Sequence, residues 1–243
     1  MAKVGLVIVA GGQGTRMGGE VPKPFIKLRG REVILHTLDA FRDIDAIRER
    51  VLVLPKSIIK ELFGPEKQRN FPSSNHAHAL VRAFAELGVS ECVCGGERRQ
   101  DSVLRGAQAM SEQCETLLVH DAVRPFVKRA DIEAVVTSAQ AGNATSVATP
   151  ITDTLRQREG GQVVDRDSLV AMQTPQGGPK QALISILEGA QDTLFTDDVA
   201  AFLQAGLPLS LVMGHKSNIK LTTPEDLAFA EFLLKEREAG TNA

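Results

Sequence analysis

Residues 3 to 25 read KVGLVIVAGGQGTRMGGEVPKPF. The first seven form a short apolar run rich in β-branched side chains, which predicts a buried strand of a parallel sheet. The run passes directly into a loop with five glycines, which ends in a lysine between two prolines. Because ligands of open parallel sheets bind beyond the carboxyl ends of the strands, we expect a binding site at this loop.

The rest of the chain alternates between strand-like and helix-like segments. Apolar runs such as ETLLVH and ATSVATP are separated by segments such as ADIEAVVTSAQ, in which apolar residues recur at helical spacing. This alternation favours right-handed crossovers and a sheet covered on both faces. The predicted fold is α/β, a single domain over residues 1–243 with a Rossmann-like, open, twisted and mostly parallel sheet and helices on both faces.

One segment departs from the alternation. Residues 152–167 contain two short strand-like runs on either side of Gly160-Gly161, a dipeptide that favours a hairpin turn. An isolated hairpin is marginally stable in water and needs a surface to lie on. We interpret it as a β-hairpin dimerisation arm, which predicts a homodimer. Packing against an edge of its own sheet is the alternative.

Composition argues against several classes of partner. The formal net charge is -2, and the chain has neither Trp nor Tyr, so we expect no nucleic-acid partner. The apolar run over residues 4–10 is far shorter than the ~20 residues that span a bilayer, so we expect no membrane partner. Three cysteines do not suggest a disulfide framework, and a cytoplasmic protein with reduced thiols fits better.

The glycine-rich loop has the features of a polyphosphate site. Its glycines permit positive φ and close backbone approach, so several N–H groups can converge on phosphate oxygens. Arg16 and Lys23 add two cations. The sequence Gly-Lys-Ser/Thr of a Walker A loop does not occur, and Met17 stands at the third glycine of the dinucleotide fingerprint, so neither of those motifs applies.

The loop resembles the nucleotidyltransferase signature A-G-G-x-G-x-R-M…P-K, which begins here at Ala10. Other motifs follow in the order and spacing of one family, namely GGERRQDSV (95–103), VHDAVRP (119–125), VDR (164–166), QTPQ (173–176), TDD (196–198) and NIKLTTPEDL (218–227). On these motifs, the chain resembles the 2-C-methyl-D-erythritol 4-phosphate cytidylyltransferases of the non-mevalonate isoprenoid pathway. The resemblance runs from residue 3 to about residue 235.

The resemblance implies transfer of a cytidylyl group from CTP to 2-C-methyl-D-erythritol 4-phosphate, with release of pyrophosphate. A phosphate oxygen of the acceptor would attack the α-phosphorus of CTP in line. A phosphomonoester with a second pKa near ~6 is largely a dianion at pH 7, so the nucleophile needs no general base. The protein then has to supply positioning, and positive charge at the α-phosphate.

The resemblance also implies site residues. It makes Arg16 and Lys23 the catalytic cations that flank the α-phosphate. The CTP-binding positions it implies are Ala10, Gly11, Gly12, Gly14, Gly95, Gly96, Ser102 and Asp121. Asp121 would also hold Mg²⁺ that is carried mainly by the CTP phosphates, for which one carboxylate is adequate. From the residues themselves, Asp101 is expected to cap the helix DSVLRGAQAM.

The acceptor phosphate needs cations of its own. The positions that the resemblance implies for it are Arg124, Arg156, Thr196, Asp197 and Lys220. Thr196 could instead cap the helix that follows. Arg156 is our choice, over Gln157 and Arg158, for the arm residue that reaches the partner's site.

One departure from the family pattern is Gly177-Gly178, where members usually carry a large apolar residue, and we interpret it as a change in a surface loop. Two other functions stay open at this point. A ribitol-5-phosphate cytidylyltransferase shares most of these motifs. A catalytically silent nucleotide-binding protein would be expected to have lost one of Arg16, Lys23, Asp121 and Lys220, and all four are present.

Overall fold

The computed structural model describes residues 3–10, 21–64 and 79–240. The strands are β1 (Lys3–Val9), β2 (Lys27–Leu28), β3 (Arg31–Glu32), β4 (Ile47–Leu54), β5 (Glu91–Cys94), β6 (Cys114–Asp121), β7 (Ala144–Pro150), β8 (Leu155–Arg156), β9 (Val163–Val164), β10 (Val170–Pro179) and β11 (Leu209–Met213). The helices are α1 (Val33–Asp39), α2 (Lys56–Phe63), α3 (Ala79–Glu86), α4 (Arg99–Ala109), α5 (Arg129–Gln140), α6 (Lys180–Gly189), α7 (Asp198–Gln204) and α8 (Pro224–Glu238).

Seven strands form the central sheet, in the order β11-β7-β10-β6-β1-β4-β5. Neighbouring strands are parallel except around β10, which runs antiparallel to both β6 and β7. The prediction of a mostly parallel α/β sheet is therefore confirmed, with one reversed strand inserted between two parallel groups.

Side chains of β1 alternate between the two faces of the sheet, as the two-residue period of a strand requires. Leu6 and Ile8 belong to an apolar cluster that includes side chains of α1, α2, α3 and α5, whereas Val7 belongs to a second cluster that includes side chains of α4, α6 and α7. Each fully buried aliphatic side chain of this kind contributes roughly 1.5–3 kcal/mol relative to its exposed state. A smaller apolar cluster that includes Phe126 and Leu233 anchors α8. Across the described ranges, no helix combines the length and the apolar character needed to cross a bilayer.

Gly177 and Gly178 lie in β10, not in a surface loop, so that interpretation was wrong. Both residues are buried, and β10 is an inner strand of the sheet. A Cβ on Gly177 would lie 2.4 Å from the Leu118 side chain and 2.8 Å from the Leu117 carbonyl oxygen. A Cβ on Gly178 would lie 2.8 Å from the ring of Phe202. Glycine is needed here because neighbouring atoms already fill the space of a side chain.

The expected hairpin is present as β8 and β9, which pair antiparallel. Gly160 and Gly161 both adopt positive φ in the turn, a conformation that glycine reaches without steric cost. The two strands form a sheet of their own and do not extend the central sheet. No residue between 151 and 170 is buried. The hairpin therefore presents its side chains outward.

Replacing Gly177 by alanine tests the packing of β10. Gly177→Ala is expected to lower the free energy of unfolding by about 1–3 kcal/mol, because a methyl group would overlap the Leu117 carbonyl. Gly189→Ala is the control, since a Cβ at the last residue of α6 meets nothing within 4 Å, and it should shift stability by no more than about 0.5 kcal/mol. Urea unfolding measures both, and equal midpoints for the two variants would contradict the prediction.

Candidate active site

The candidate site lies at the carboxyl edge of the sheet. Val9 of β1 is in register with Asp121 of β6, so these two strands end side by side. The amide of Ala10 donates to the carbonyl of Val53 at 2.8 Å, so this amide already has a partner within the protein. Of the other predicted members of the first loop, Lys23 is described, whereas four lie outside the described residues, namely Gly11, Gly12, Gly14 and Arg16.

Asp121 is the centre of charge in this site. Its side chain is 9% exposed, and its Oδ2 lies 3.0 Å from Lys220 Nζ and 3.3 Å from Arg124 Nε. Its Oδ1 lies 3.4 Å from Arg99 Nη2. Burial raises the pKa of this carboxyl, but attraction by the three cations outweighs it and holds the pKa well below its usual range. Asp121 is therefore ionised at neutral pH.

Arg99 connects Asp121 to a second buried carboxylate. Its Nη1 and Nη2 donate to Oδ1 and Oδ2 of Asp198 at 2.9 and 2.8 Å, in the bidentate geometry that suits a guanidinium. Asp198 begins α7, and its amide donates to the Gln176 side chain of β10 at 2.8 Å. Neither Arg99 nor Asp198 was among the predicted site residues. The sequence could have indicated them as site residues, because Arg99 lies in the motif GGERRQDSV and Asp198 lies in the motif TDD.

A chain of hydrogen bonds fixes the loop that carries Asp121 and Arg124. The Asp121 amide donates to Thr174 Oγ1 at 3.1 Å, and the Thr174 hydroxyl donates to His120 Nδ1 at 3.0 Å. His120 Nε2 in turn donates to the Arg124 carbonyl at 3.0 Å, which requires the Nε2-protonated ring because a carbonyl can only accept. Burial lowers the pKa of His120 to about 4, so the ring is neutral at pH 7.

The two predicted lysines are connected through one segment, residues 218–223, which contains Lys220 and bonds to Lys23. Lys23 opens a short 3₁₀ turn, and its Nζ donates to the carbonyl of Thr222 at 2.6 Å. Lys220, two residues earlier, contacts Asp121. Arg124 Nη1 donates to the carbonyl of Asn218 at 2.8 Å. The segment 218–223 therefore carries Lys220 and contacts Lys23 and Arg124, and two of these cations, Lys220 and Arg124, also contact Asp121.

The Gly95-Gly96 loop follows β5 at the same edge and is stabilised from within. Ser102 is buried, accepts the Gly96 amide at 3.0 Å, and donates to the Arg98 carbonyl at 3.3 Å. Gly96 has no room for a side chain, because a Cβ would lie 2.3 Å from that of Asp101. The structure thus places the Ser102 hydroxyl inside the loop that it shapes.

Two expectations about helix caps need correction. Asp101 is not the N-cap of α4, because the helix starts at Arg99 and Arg98 is the cap residue. Asp101 accepts the Arg98 amide at 3.0 Å from the third helical position, as the acidic member of a capping box does. The cap of α7 is Asp197, whose Oδ1 accepts the Ala200 amide at 2.9 Å, so capping by Thr196 was wrong.

The remaining candidates for binding the acceptor phosphate make no ion pair with Asp121 in the described part of the chain. Thr196 is exposed and lies two residues before the start of α7. Asp197 Oδ2 accepts a hydrogen bond from the side-chain Nε2 of Gln176 at 3.1 Å, beside the Asp198–Arg99 pair. Arg156 lies on the hairpin, where its guanidinium donates to the Gly161 carbonyl at 2.8 Å, and it contacts none of the other candidates that the structure describes.

The described part of the chain contains no group of three or more His, Cys, Asp or Glu side chains that could hold a metal ion. Asp121 nevertheless provides one ionised carboxylate at the carboxyl edge of the sheet. Mg²⁺ is usually held by one or two carboxylates together with substrate phosphates and water. The residues present therefore fit an ion that arrives with a polyphosphate ligand.

Removing Arg99 tests whether it satisfies the buried Asp198. Arg99→Met is expected to lower the free energy of unfolding by ~3–5 kcal/mol, because a carboxylate of which 3% is exposed loses its bidentate partner. The double variant Arg99→Met/Asp198→Asn should recover part of that loss. Arg129→Met is the control, since the Arg129–Glu133 pair is exposed on both sides and an ion pair in water contributes little to stability. Equal losses in urea unfolding for the two single variants would refute this role.

Comparisons with known proteins agree with the motifs. The family model for 2-C-methyl-D-erythritol 4-phosphate cytidylyltransferase matches residues 4–236. A protein of that name from Bacillus licheniformis is 37% identical over 235 residues, which cover 95% of both chains. The bifunctional enzyme IspD/IspF of Desulfotalea psychrophila is 35% identical over 236 residues, and the chain spans 57% of its length.

Comparison of the fold with solved structures identifies the same family. The crystal structure of 4-diphosphocytidyl-2C-methyl-D-erythritol synthase from Anaerococcus prevotii matches with a TM-score of 0.77 at 27% identity, over 96% of each chain. The family model covers nearly the whole chain, and both comparisons name the family that the motifs indicated. The chain belongs to the 2-C-methyl-D-erythritol 4-phosphate cytidylyltransferase family.

Proposed function

We propose that this protein transfers a cytidylyl group from CTP to 2-C-methyl-D-erythritol 4-phosphate, and that it releases pyrophosphate and forms 4-diphosphocytidyl-2-C-methyl-D-erythritol. The observation that carries the proposal is that Lys23 and Arg124 bond to the segment 218–223, which carries Lys220, and that Arg124 and Lys220 also contact Asp121. More cations than carboxylates meet there, which suits a site that holds two phosphorylated substrates. Family membership supports this acceptor over ribitol 5-phosphate, and supports an enzyme over a silent binder.

The reaction needs no general base from the protein. A dianionic phosphate oxygen of the acceptor forms a bond to the α-phosphorus, and the bond from that phosphorus to the bridging oxygen breaks. Pyrophosphate leaves with the bonding electron pair. His120 is neutral and buried, and both of its ring nitrogens are hydrogen-bonded, so it is not placed to move a proton in this step.

Lys23 is the proposed source of positive charge at the α-phosphate, together with Arg16 of the first loop. An ammonium group has three N–H donors, and the Thr222 carbonyl takes one of those of Lys23. No other described residue accepts from Lys23, so the two remaining donors could reach phosphate oxygens as charge builds on them. A cation fixed in advance costs little reorganisation during the reaction.

The nucleotide and the acceptor would approach from different sides of Asp121. The Gly95-Gly96 loop, shaped by Ser102, is the proposed site for cytosine and ribose. Lys220 is 43% exposed, and we assign it to the acceptor phosphate, for which it would share its contact with Asp121. Thr196 and Asp197 would line the same pocket. Arg124 is more deeply buried, so its proposed part is to hold Asp121 and the Asn218 carbonyl.

Mg²⁺ is proposed to arrive on the CTP phosphates, with Asp121 as the protein residue that would hold it. When bound, the ion would neutralise phosphate charge. We also propose that the chain works as one nucleotidyltransferase domain in the cytoplasm. The three cysteines of the chain, all free in the structure, are consistent with a reducing compartment.

A homodimer is proposed from the hairpin. Its side chains face outward, and Val163, at 60% exposure, would gain burial against a second copy. Arg156 stands apart from the other acceptor candidates of its own chain. That separation is expected if the arm serves the site of the partner subunit.

Pyrophosphate release tests the activity. We expect turnover with CTP and 2-C-methyl-D-erythritol 4-phosphate, and little with ribitol 5-phosphate or with ATP, GTP or UTP. Lys23→Ala should lower kcat by ~10²–10³, because it removes one preorganised donor. Lys27→Ala is the control, since Lys27 is exposed and lies 3.9 Å from Glu32. A loss of less than tenfold for folded Lys23→Ala, or a preference for ribitol 5-phosphate, would contradict the proposal.

Mixed dimers test the arm. Arg156→Ala and Lys220→Ala should each be nearly inactive alone. After subunit exchange, one site of each mixed dimer would combine an intact Lys220 with an intact Arg156 from the partner. Activity should return to about a quarter of the wild-type value, because half of the dimers are mixed and each has one complete site. Failure to recover activity, or a monomeric mass by light scattering, would overturn the arm's role. Arg158→Ala is the control.

A further inference from the structure

Asp226, the third residue of α8, accepts three hydrogen bonds with one oxygen. Its Oδ2 lies 2.7 Å from the Thr222 amide nitrogen, 2.8 Å from the Thr222 hydroxyl and 2.8 Å from the Thr223 amide nitrogen. Thr223 caps the helix by accepting the Asp226 amide at 3.4 Å. A capping box needs only the bond from the Thr223 amide. The two bonds from Thr222 go beyond what the helix end requires.

The peptide unit between Thr222 and Thr223 connects Asp226 to Lys23. Its N–H donates to Asp226, and its carbonyl accepts from Lys23 Nζ at 2.6 Å. A peptide unit is planar and its N–H and C=O point in opposite directions, so fixing one end orients the other. A carboxylate at the N–H also polarises the carbonyl toward the ammonium, since linked hydrogen bonds strengthen one another.

Charge and connectivity agree with this arrangement. Burial raises the pKa of Asp226, but hydrogen bonds from Thr222 and Thr223 outweigh it and hold the pKa below its ordinary value, so the group is ionised at pH 7. The neighbouring residue on the segment, Leu221, donates its amide to the Val123 carbonyl at 2.9 Å. The segment is therefore tied to the Asp121 loop on one side and to α8 on the other.

We propose that Asp226 is a positioning residue for Lys23, acting through the peptide unit between Thr222 and Thr223. The proposal rests on the catalytic role proposed for Lys23. Because Lys220 lies on the same segment, the anchor also sets the spacing between the two lysines. In-line attack is sensitive to such spacing, and a displacement of about 1 Å can cost about 100-fold in rate.

The test compares Asp226→Asn with Thr223→Val, each in the wild-type and in the Lys23→Ala background. Both changes weaken the start of α8, but only Asp226→Asn removes the charge that orients the 222–223 peptide. Asp226→Asn is expected to lower kcat about tenfold, with KM for CTP within about threefold, because the loss falls on the transition state. Thr223→Val should lower the melting temperature and leave kcat within about twofold.

The Lys23→Ala background distinguishes an effect of Asp226 on the position of Lys23 from a general loss of structure or activity. If Asp226 acts through Lys23, Asp226→Asn should lower kcat by less than about twofold once that lysine is gone. The same fold-loss in both backgrounds, or equal effects of Asp226→Asn and Thr223→Val, would overturn the inference. If Lys23→Ala alone leaves kcat unchanged, the proposed role of Lys23 fails first. If Lys23→Ala is impaired while Asp226→Asn is not, only this inference fails.

Should Asp226→Asn not fold, Thr222→Val weakens the same anchor while it keeps the Asp226 charge. It removes the hydroxyl that bonds Asp226 at 2.8 Å and keeps the side-chain shape. A kcat loss that exceeds that of Thr223→Val and shrinks in the Lys23→Ala background supports the inference. Equal losses overturn it.

Discussion

Asp121 is a buried carboxylate at the end of a central strand, and the local structure is arranged to keep it ionised. Removing a carboxylate from water costs several kcal/mol unless cations and hydrogen-bond donors replace the solvent. The cations are Arg124, three residues after Asp121, Arg99 at the start of α4, and Lys220 before α8. Satisfying one charge thus requires two distant segments to meet the Asp121 loop at the carboxyl edge of the sheet.

The antiparallel strand β10 holds the residues around Asp121 in place through hydrogen bonds from its side chains. Thr174 accepts the Asp121 amide and bonds His120, and Gln176 accepts the Asp198 amide. Both side chains project from a strand that is held between β6 and β7. Gly177 allows that close packing, because its missing side chain leaves room for Leu118. The same strand therefore serves the sheet and the loops that carry the charged groups.

Features set by local sequence could be predicted. Alternating apolar patterns identified the mostly parallel sheet, and Gly160-Gly161 identified the hairpin, and the structure confirms both. The predictions of helix starts were less accurate where neighbouring residues compete for the cap position. Asp101 lies two residues inside α4, because Arg98 takes the cap position, and Asp197 displaced Thr196.

Features set by distant contacts could not be predicted. Gly177 and Gly178 resemble a loop in sequence, since only pairing with β6 and β7 makes them a strand. The Arg99–Asp198 ion pair joins residues 99 positions apart, and no local pattern marks it. Predictions for Gly11, Gly12, Gly14 and Arg16 fall outside the described residues and stay predictions.

The central claim is that this edge of the sheet, with Lys23 and Asp121, holds the triphosphate of CTP. A crystal structure of the protein with CTP and Mg²⁺ tests it most directly. We predict that the triphosphate lies beyond the carboxyl ends of β1 and β6, with Lys23 Nζ within hydrogen-bond distance of an α-phosphate oxygen. A nucleotide bound elsewhere, with Lys23 still bonded to the Thr222 carbonyl and to no phosphate, would contradict the account.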